Sequence, residues 1–239
     1  MKRILFLLIG SLSLVSVLAQ KTVINDPNVE VRPVKGFHGI NVSNAIDVYL
    51  SQGDQETVAV SAAEIKWRDR IRTEVVDGIL KIWLDNKGFT WSSGNKKMKA
   101  YISFTTLDKL TASGASDVYV DGVISGSHLD INLSGASDFK GAIKVGELKL
   151  DQSGASDAHI TGSVDGLVTI ESSGASDVKA YDLVAGSCNA HLSGASDIRI
   201  TVNKELNVHA SGASSLYYKG DAVIKEMHSS GASSVSKKS

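Results

Sequence analysis

Cysteine is almost absent: Cys188 is the only one in 239 residues. A lone thiol excludes an intrachain disulfide framework, so packing and backbone hydrogen bonds must hold the chain. Proline is nearly as scarce, at 2 residues, and aromatics supply only 6% of the sequence. That is little bulk for the core of a compact enzyme. A basic excess is also missing, with 25 Lys and Arg against 26 Asp and Glu. Such a balance gives no broad footprint for nucleic acid or an anionic membrane. There is no Ser-His-Asp order, phosphate loop, nucleotide fingerprint or CxxC motif. Glycine, by contrast, is plentiful at 22 residues and keeps company with Ser and Ala, a composition suited to tight, repeated turns.

The one long apolar run lies at the N-terminus. Lys2 and Arg3 precede Ile4 to Val17, and Val17-Leu18-Ala19 ends in the small-residue pattern of signal peptidase. The run is short for a membrane span, and no stop-transfer flank follows. Residues 1–19 therefore read as a signal peptide cleaved after Ala19, with no following Cys to carry a lipid anchor. The segment holds two of the 25 basic residues and no acid, so the remainder carries 23 basic and 26 acidic groups, a net −3. The expected location is exported: periplasm, outer surface or extracellular, with no transmembrane segment after cleavage. Residues 20–35 hold both prolines and read as an extended lead-in to one domain over residues 36–239.

Residues 107–239 repeat. Ser-Gly-Ala-Ser-Asp starts at Ser113, Ser134, Ser153, Ser173 and Ser193, and two variants ending in Ser start at Ser211 and Ser230. The spacings are 21, 19, 20, 20, 18 and 19. A period of this size marks a unit that buries its apolar face only by stacking on its neighbours. Three residues before each motif stand Leu110, Ile131, Leu150, Ile170, Ala190, Val208 and Met227, all apolar. The next column is polar throughout: Thr111, Asn132, Asp151, Glu171, His191, His209, His228. Five residues after the first Ser, the apolar set returns as Val118, Phe139, Ala158, Val178, Ile198, Leu216 and Val235. Alternation with period two is the mark of a strand with one buried face.

The expected fold is all-β: a single-domain, right-handed parallel β-helix with coils of about 20 residues, each holding two or three short strands. The Ala column of the motif is expected at a tight corner, and the Gly column at a backbone angle other residues resist. Leucine-rich, hexapeptide and nine-residue calcium repeats fit worse in pattern or period.

Residues 36–106 lack the motif but keep strand-like patterning. Ser43, Ala45 and Asp47 echo it, with Val48 and Leu50 in the inward places. Strands are predicted at 57–61, 71–76, 79–84 and 99–104, with Asp77-Gly78 as a tight bend. These read as wider coils closing the N-terminal end. Gly36-Phe37-His38-Gly39-Ile40, the runs 47–54 and 77–82 and the Ser-Gly-Ala-Ser-Asp coils resemble the bacterial head GIN domain family, labelled auto-transporter adhesin. The resemblance covers residues 36–234 and implies an exported β-helix with an adhesive role; it carries over no catalytic or ligand residue.

Three constellations are candidates for chemistry. Asp117, Asp138, Asp157, Asp177 and Asp197 form a ladder whose carboxylates would stack about 4.8 Å apart. Ser hydroxyls and bend amides are the expected compensation, with calcium shared between coils or a hydrolytic acid pair as the sharper alternatives. His191, His209 and His228 fall in one outward column continued by Glu171 and Asp151, a candidate zinc or other transition-metal site against a plain solvated stripe. Phe89 and Trp91, in a polar Gly- and Ser-rich loop, are candidate sugar-stacking residues. Cys188 sits in an inward column and reads as a small, inert core residue. The sequence therefore points to a non-enzymatic adhesin or binding module for a glycan or surface protein, without a required cofactor. The alternative is a pectinase-like, polysaccharide-cleaving β-helix, which rests on fold analogy alone.

Overall fold

The computed structural model describes residues 26–87 and 96–239. The signal segment and the Phe89–Trp91 loop lie outside the described residues.

The chain forms one sheet of 16 strands wound into a β-solenoid of about six turns. In chain order the first elements are β1 (Glu30–Arg32), β2 (Gly39–Val42), β3 (Ile46–Gln52), β4 (Thr57–Ser61), a short helix α1 (Ile65–Arg68), β5 (Ile71–Val76), β6 (Ile79–Leu84), β7 (Met98–Phe104) and β8 (Lys109–Ala112). The regular coils follow as β9 (Val118–Leu133), β10 (Phe139–Gln152), β11 (Asp157–Ser172), β12 (Asp177–Leu192) and β13 (Asp197–Ala210). The chain closes with β14 (Ser215–Lys219), β15 (Val223–Ser229) and β16 (Ser234–Lys237).

The regular coils pair in parallel, motif on motif: Ile131 lies beside Leu150, Leu150 beside Ile170, Ile170 beside Ala190 and Ala190 beside Val208. These residues, like Val118, Phe139, Ala158, Val178, Ile198 and Leu216 in the second apolar column, are fully buried. Each large aliphatic so placed contributes about 1.5–3 kcal/mol. The columns compensate one another. Where Phe139 adds bulk, Gly141 replaces the aliphatic residue found two places on in other coils, and a Cβ there would lie 2.5 Å from Val120 Cγ2.

The bend explains the motif residue by residue. Its glycines take left-handed φ, 84° at Gly174 for example, and a Cβ there would lie 2.4 Å from the Gly154 carbonyl oxygen of the coil before. Only Gly permits both the angle and the approach. The Ala amide then donates to that same stacked carbonyl, Ala175 to Gly154 O at 2.8 Å. The Ala column itself is exposed, not at a closed corner; the buried column is the second Ser. Ser176, Ser196 and Ser214 turn inward, and their hydroxyls donate to the carbonyls of Ser173, Ser193 and Ser211 at 2.7, 2.9 and 2.9 Å. A hydroxyl is small enough for the corner and satisfies itself there.

Two further expectations are corrected. Each regular coil runs as one strand of 14 to 16 residues, bent at register shifts such as Val145/Leu148, rather than as two or three short strands. The hydrogen bonding continues around the return because it follows the neighbouring coil. The N-terminal end is closed by antiparallel pairing, not by wider coils alone: β5 folds back on β6 through Asp77-Gly78 (φ 52° and 74°), and β4 and β1 add antiparallel beyond β7. The diverged first coil is real, since Tyr49 pairs with Tyr119 and Asn44 (φ 70°) stands in the glycine place. Helix α1 has no counterpart in the sequence reading; it seats Trp67 in the core.

Candidate functional site

One face of the solenoid is concave. The residues just before each bend line a groove of about 930 Å³ that runs across the coils from Asn132 to His228. Its outer wall is the polar column Asn132, Asp151, Glu171, His191, His209 and His228; its floor is Leu133, Gln152, Ser172, Leu192 and Ala210; its other wall is the first Ser of successive motifs. Six rungs at about 4.8 Å give a groove roughly 24 Å long. Its chemistry changes along that length, from carboxylates at Asp151 and Glu171 to imidazoles at His191, His209 and His228.

Register places the imidazoles in a stack. His191 and His209 lie 4.8 Å apart between centroids with 6° between planes, and His209 and His228 lie 4.7 Å apart at 26°. The expected fourth member, Glu171, lies beside His191, two rungs from His209. The carboxylate that the fold brings to the His pair is instead Glu226, 2.9 Å from His228 Nε2 and 3.8 Å from His209 Nε2. Asp151 is held by Lys149 at 3.1 Å. On the second of the six rungs, Asp151 Oδ1 and Gln152 Oε1 are buried without a protein donor.

The Asp ladder lies on the other side of the bend, where backbone amides of the next coil meet its carboxylates. Asp138, Asp157 and Asp177 each donate a backbone amide to the carboxylate one coil before, at 3.3, 3.1 and 3.3 Å. Lys179 bridges to Asp157 at 2.9 Å, and Arg199 to Asp197 at 3.2 Å. Burial pushes the Asp138 carboxyl above the usual range, with Asp117 and Asp157 adding to it. Burial also pushes the Cys188 thiol up to about 12, which makes it a spectator in the core.

The family described as "Putative auto-transporter adhesin, head GIN domain" matches residues 36–222. The chain belongs to the head GIN domain family. Solved structures share the fold. A putative adhesin from Bacteroides fragilis is 22% identical, with a TM-score of 0.80 over 88% of this chain and 96% of its own. A putative lipid binding protein from Parabacteroides distasonis is 22% identical, with a TM-score of 0.66 over 89% and 98%. A putative adhesin from the same organism is 20% identical, with a TM-score of 0.66 over 88% and 96%. No curated protein matches the sequence.

This head GIN domain carries two features that sequence reasoning missed. Glu226 is one; its place two residues before His228 on a strand was the available signal, because i and i+2 share a face. The other is a tyrosine ladder. Tyr49 stacks on Tyr101 at 5.2 Å and on Tyr119 at 5.4 Å, both at 22°. The Tyr101 hydroxyl donates to Asp26 at 3.3 Å and the Tyr119 hydroxyl to Asp117 at 3.2 Å. Tyr49 spends both faces on its neighbours, while Tyr119 at the end of the ladder stays 37% exposed. Three tyrosines at 49, 101 and 119 gave no signal, because only the pairing of β3 with β7 and β9 aligns them.

Among the described residues, no helix is long and apolar enough to cross a membrane.

Proposed function

We propose that this chain is an exported, non-enzymatic binding module of the bacterial envelope, and that its groove holds an extended glycan. The observation that carries the reading is the groove itself, polar along its walls and continuous over six coils. A linear polymer meets such a surface repeatedly, with hydroxyls facing hydroxyls and carboxylates. The family description and the adhesin names of similar structures support a surface-binding role. One similar structure is named a lipid-binding protein, but walls of carboxylates, imidazoles and hydroxyls suit an acyl chain poorly. Catalysis is the weaker reading. Asp151 and Glu171 are neighbours across strands, but Lys149 holds Asp151 as an ion pair, and glycoside hydrolysis needs one acid that keeps its proton.

The test is affinity electrophoresis of the mature chain, and of a Glu171→Gln/His191→Ala variant, through gels cast with a panel of polysaccharides including polygalacturonate. Retardation in one gel, lost in the variant and without loss of polymer staining, is the expected result. A cleared track would replace this reading with the polysaccharide-cleaving one. Free migration in every gel would overturn the glycan and leave a protein partner.

A further inference from the structure

We propose that His209, Glu226 and His228 form a binding site for a divalent transition metal, with zinc as its natural occupant, at the C-terminal end of the solenoid. The inference stands apart from glycan binding and survives if that reading fails.

The fold assembles the three donors by register. His209, on β13, lies directly beside His228, on β15. Glu226 and His228 are two residues apart on one strand, so their side chains leave the same face. All three offer a ligand atom within 4.8 Å of the others. The Glu226 carboxylate already bridges the two Nε2 atoms, at 2.9 Å and 3.8 Å. Both Nε2 atoms face the same Glu226 oxygen, and the rings stack beside it. The planes also diverge more here, by 26° against 6° one rung earlier. His228 is 65% exposed, which leaves it free to turn its lone pair onto a shared ion.

Two nearby acids are engaged by lysines, Asp151 by Lys149 and Glu205 by Lys225. Among the described residues Glu226 has ion-pair contacts only to the two histidines. Two imidazole nitrogens and one carboxylate oxygen make a donor set for zinc, with water completing the tetrahedron. Calcium, which takes 6–8 oxygens, is excluded by the same set. The ion would tie β13 to β15, the strand with the least cover in the repeat region, where Val223 and Met227 are 59% and 54% exposed. It would serve as a staple where stacking ends.

The experiment uses the mature chain without a histidine tag, dialysed to equilibrium against Zn²⁺, with bound metal quantified and Co²⁺ absorbance as a reporter of tetrahedral nitrogen and oxygen ligation. One zinc per chain is expected, together with a zinc-dependent rise in the unfolding midpoint. H209A, E226Q and H228A should each weaken binding at least about tenfold, the low end for disturbing even the supporting partner of a ligand. H128A, which removes a comparable imidazole beside Asp130, should change nothing. All three ligand side chains are on the surface, and circular dichroism will confirm that the variants fold. Absence of retained zinc in the wild-type chain, or equal retention in the three variants, would overturn the site.

Discussion

The two ends of the solenoid meet the same problem and solve it differently. At the N-terminal end, β5 and β6 lie over β2, β4 and β1 extend past β7, and Trp67, Phe104 and Leu107 are buried among them. At the C-terminal end, β15 and β16 pair on one side only, with β13 and β14. Val208 and Met227 occupy the same apolar column in consecutive coils, yet Val208 is fully buried and Met227 is 54% exposed. Burial in this fold is therefore conferred by the neighbouring coil, not by position in the repeat. A solenoid's stability is a sum of coils and interfaces, and a terminal coil owns fewer interfaces.

That contrast yields matched pairs of variants. The largest difference is expected in the apolar column: Ile170→Ala should cost about 2–5 kcal/mol, whereas Met227→Ala should stay within about 0.5 kcal/mol. Urea unfolding of both will decide; equal losses would mean that the C-terminal end is covered in solution. The bend glycines come next. Gly174→Ala forces a left-handed alanine, at about 1–3 kcal/mol, and drives its Cβ to 2.4 Å from the Gly154 carbonyl. Gly231→Ala meets Gly212 O at 2.8 Å with no further coil stacked on it, so its loss should be smaller. Thermal unfolding of the two proteins tests the order.

The inward serines give a smaller step. Ser196→Ala removes a buried hydroxyl bonded to Ser193 O and should cost about 1 kcal/mol; Ser233→Ala, at the exposed last bend, should cost less in the same assay. Smallest is the Asp ladder. The raised Asp138 carboxyl favours its proton in the folded chain, so this residue's contribution to stability is fully present below the ordinary Asp range near pH 3.9 and is lost as pH rises through its folded value. Asp138→Asn keeps the acceptor for the Asp157 amide and removes the charge, so it should raise stability slightly at neutral pH and leave it unchanged below about pH 3.5, which is under the ordinary Asp value. Stabilisation persisting in acid would contradict that assignment.

The repeat made much of this legible. Spacing located every bend, period-two alternation gave the inward columns, and the glycine angle followed from seven aligned glycines. Strands 57–61, 71–76 and 79–84 match β4, β5 and β6 residue for residue. The Ala column, expected at a tight corner, is exposed, and the buried column is the second Ser, which the repeat alone did not assign to a side. Here the closing hydrogen bond to a main-chain carbonyl decides, and only Ser can donate it. The groove was half legible: the His column was visible, its concavity was not. Whether a row of outward side chains lines a hollow or a ridge depends on the direction of the bend.

The local rules of this protein are written in its repeat, since each coil carries one pattern of burial, turn and hydrogen bond that physical chemistry reads directly. The tertiary structure alone decided the relations between coils: that Glu226 rather than Glu171 faces the histidine pair, that three distant tyrosines stack, and that one end is closed and the other bare. These are matters of register between strands about 20 residues or more apart, and register is set by the stacked whole.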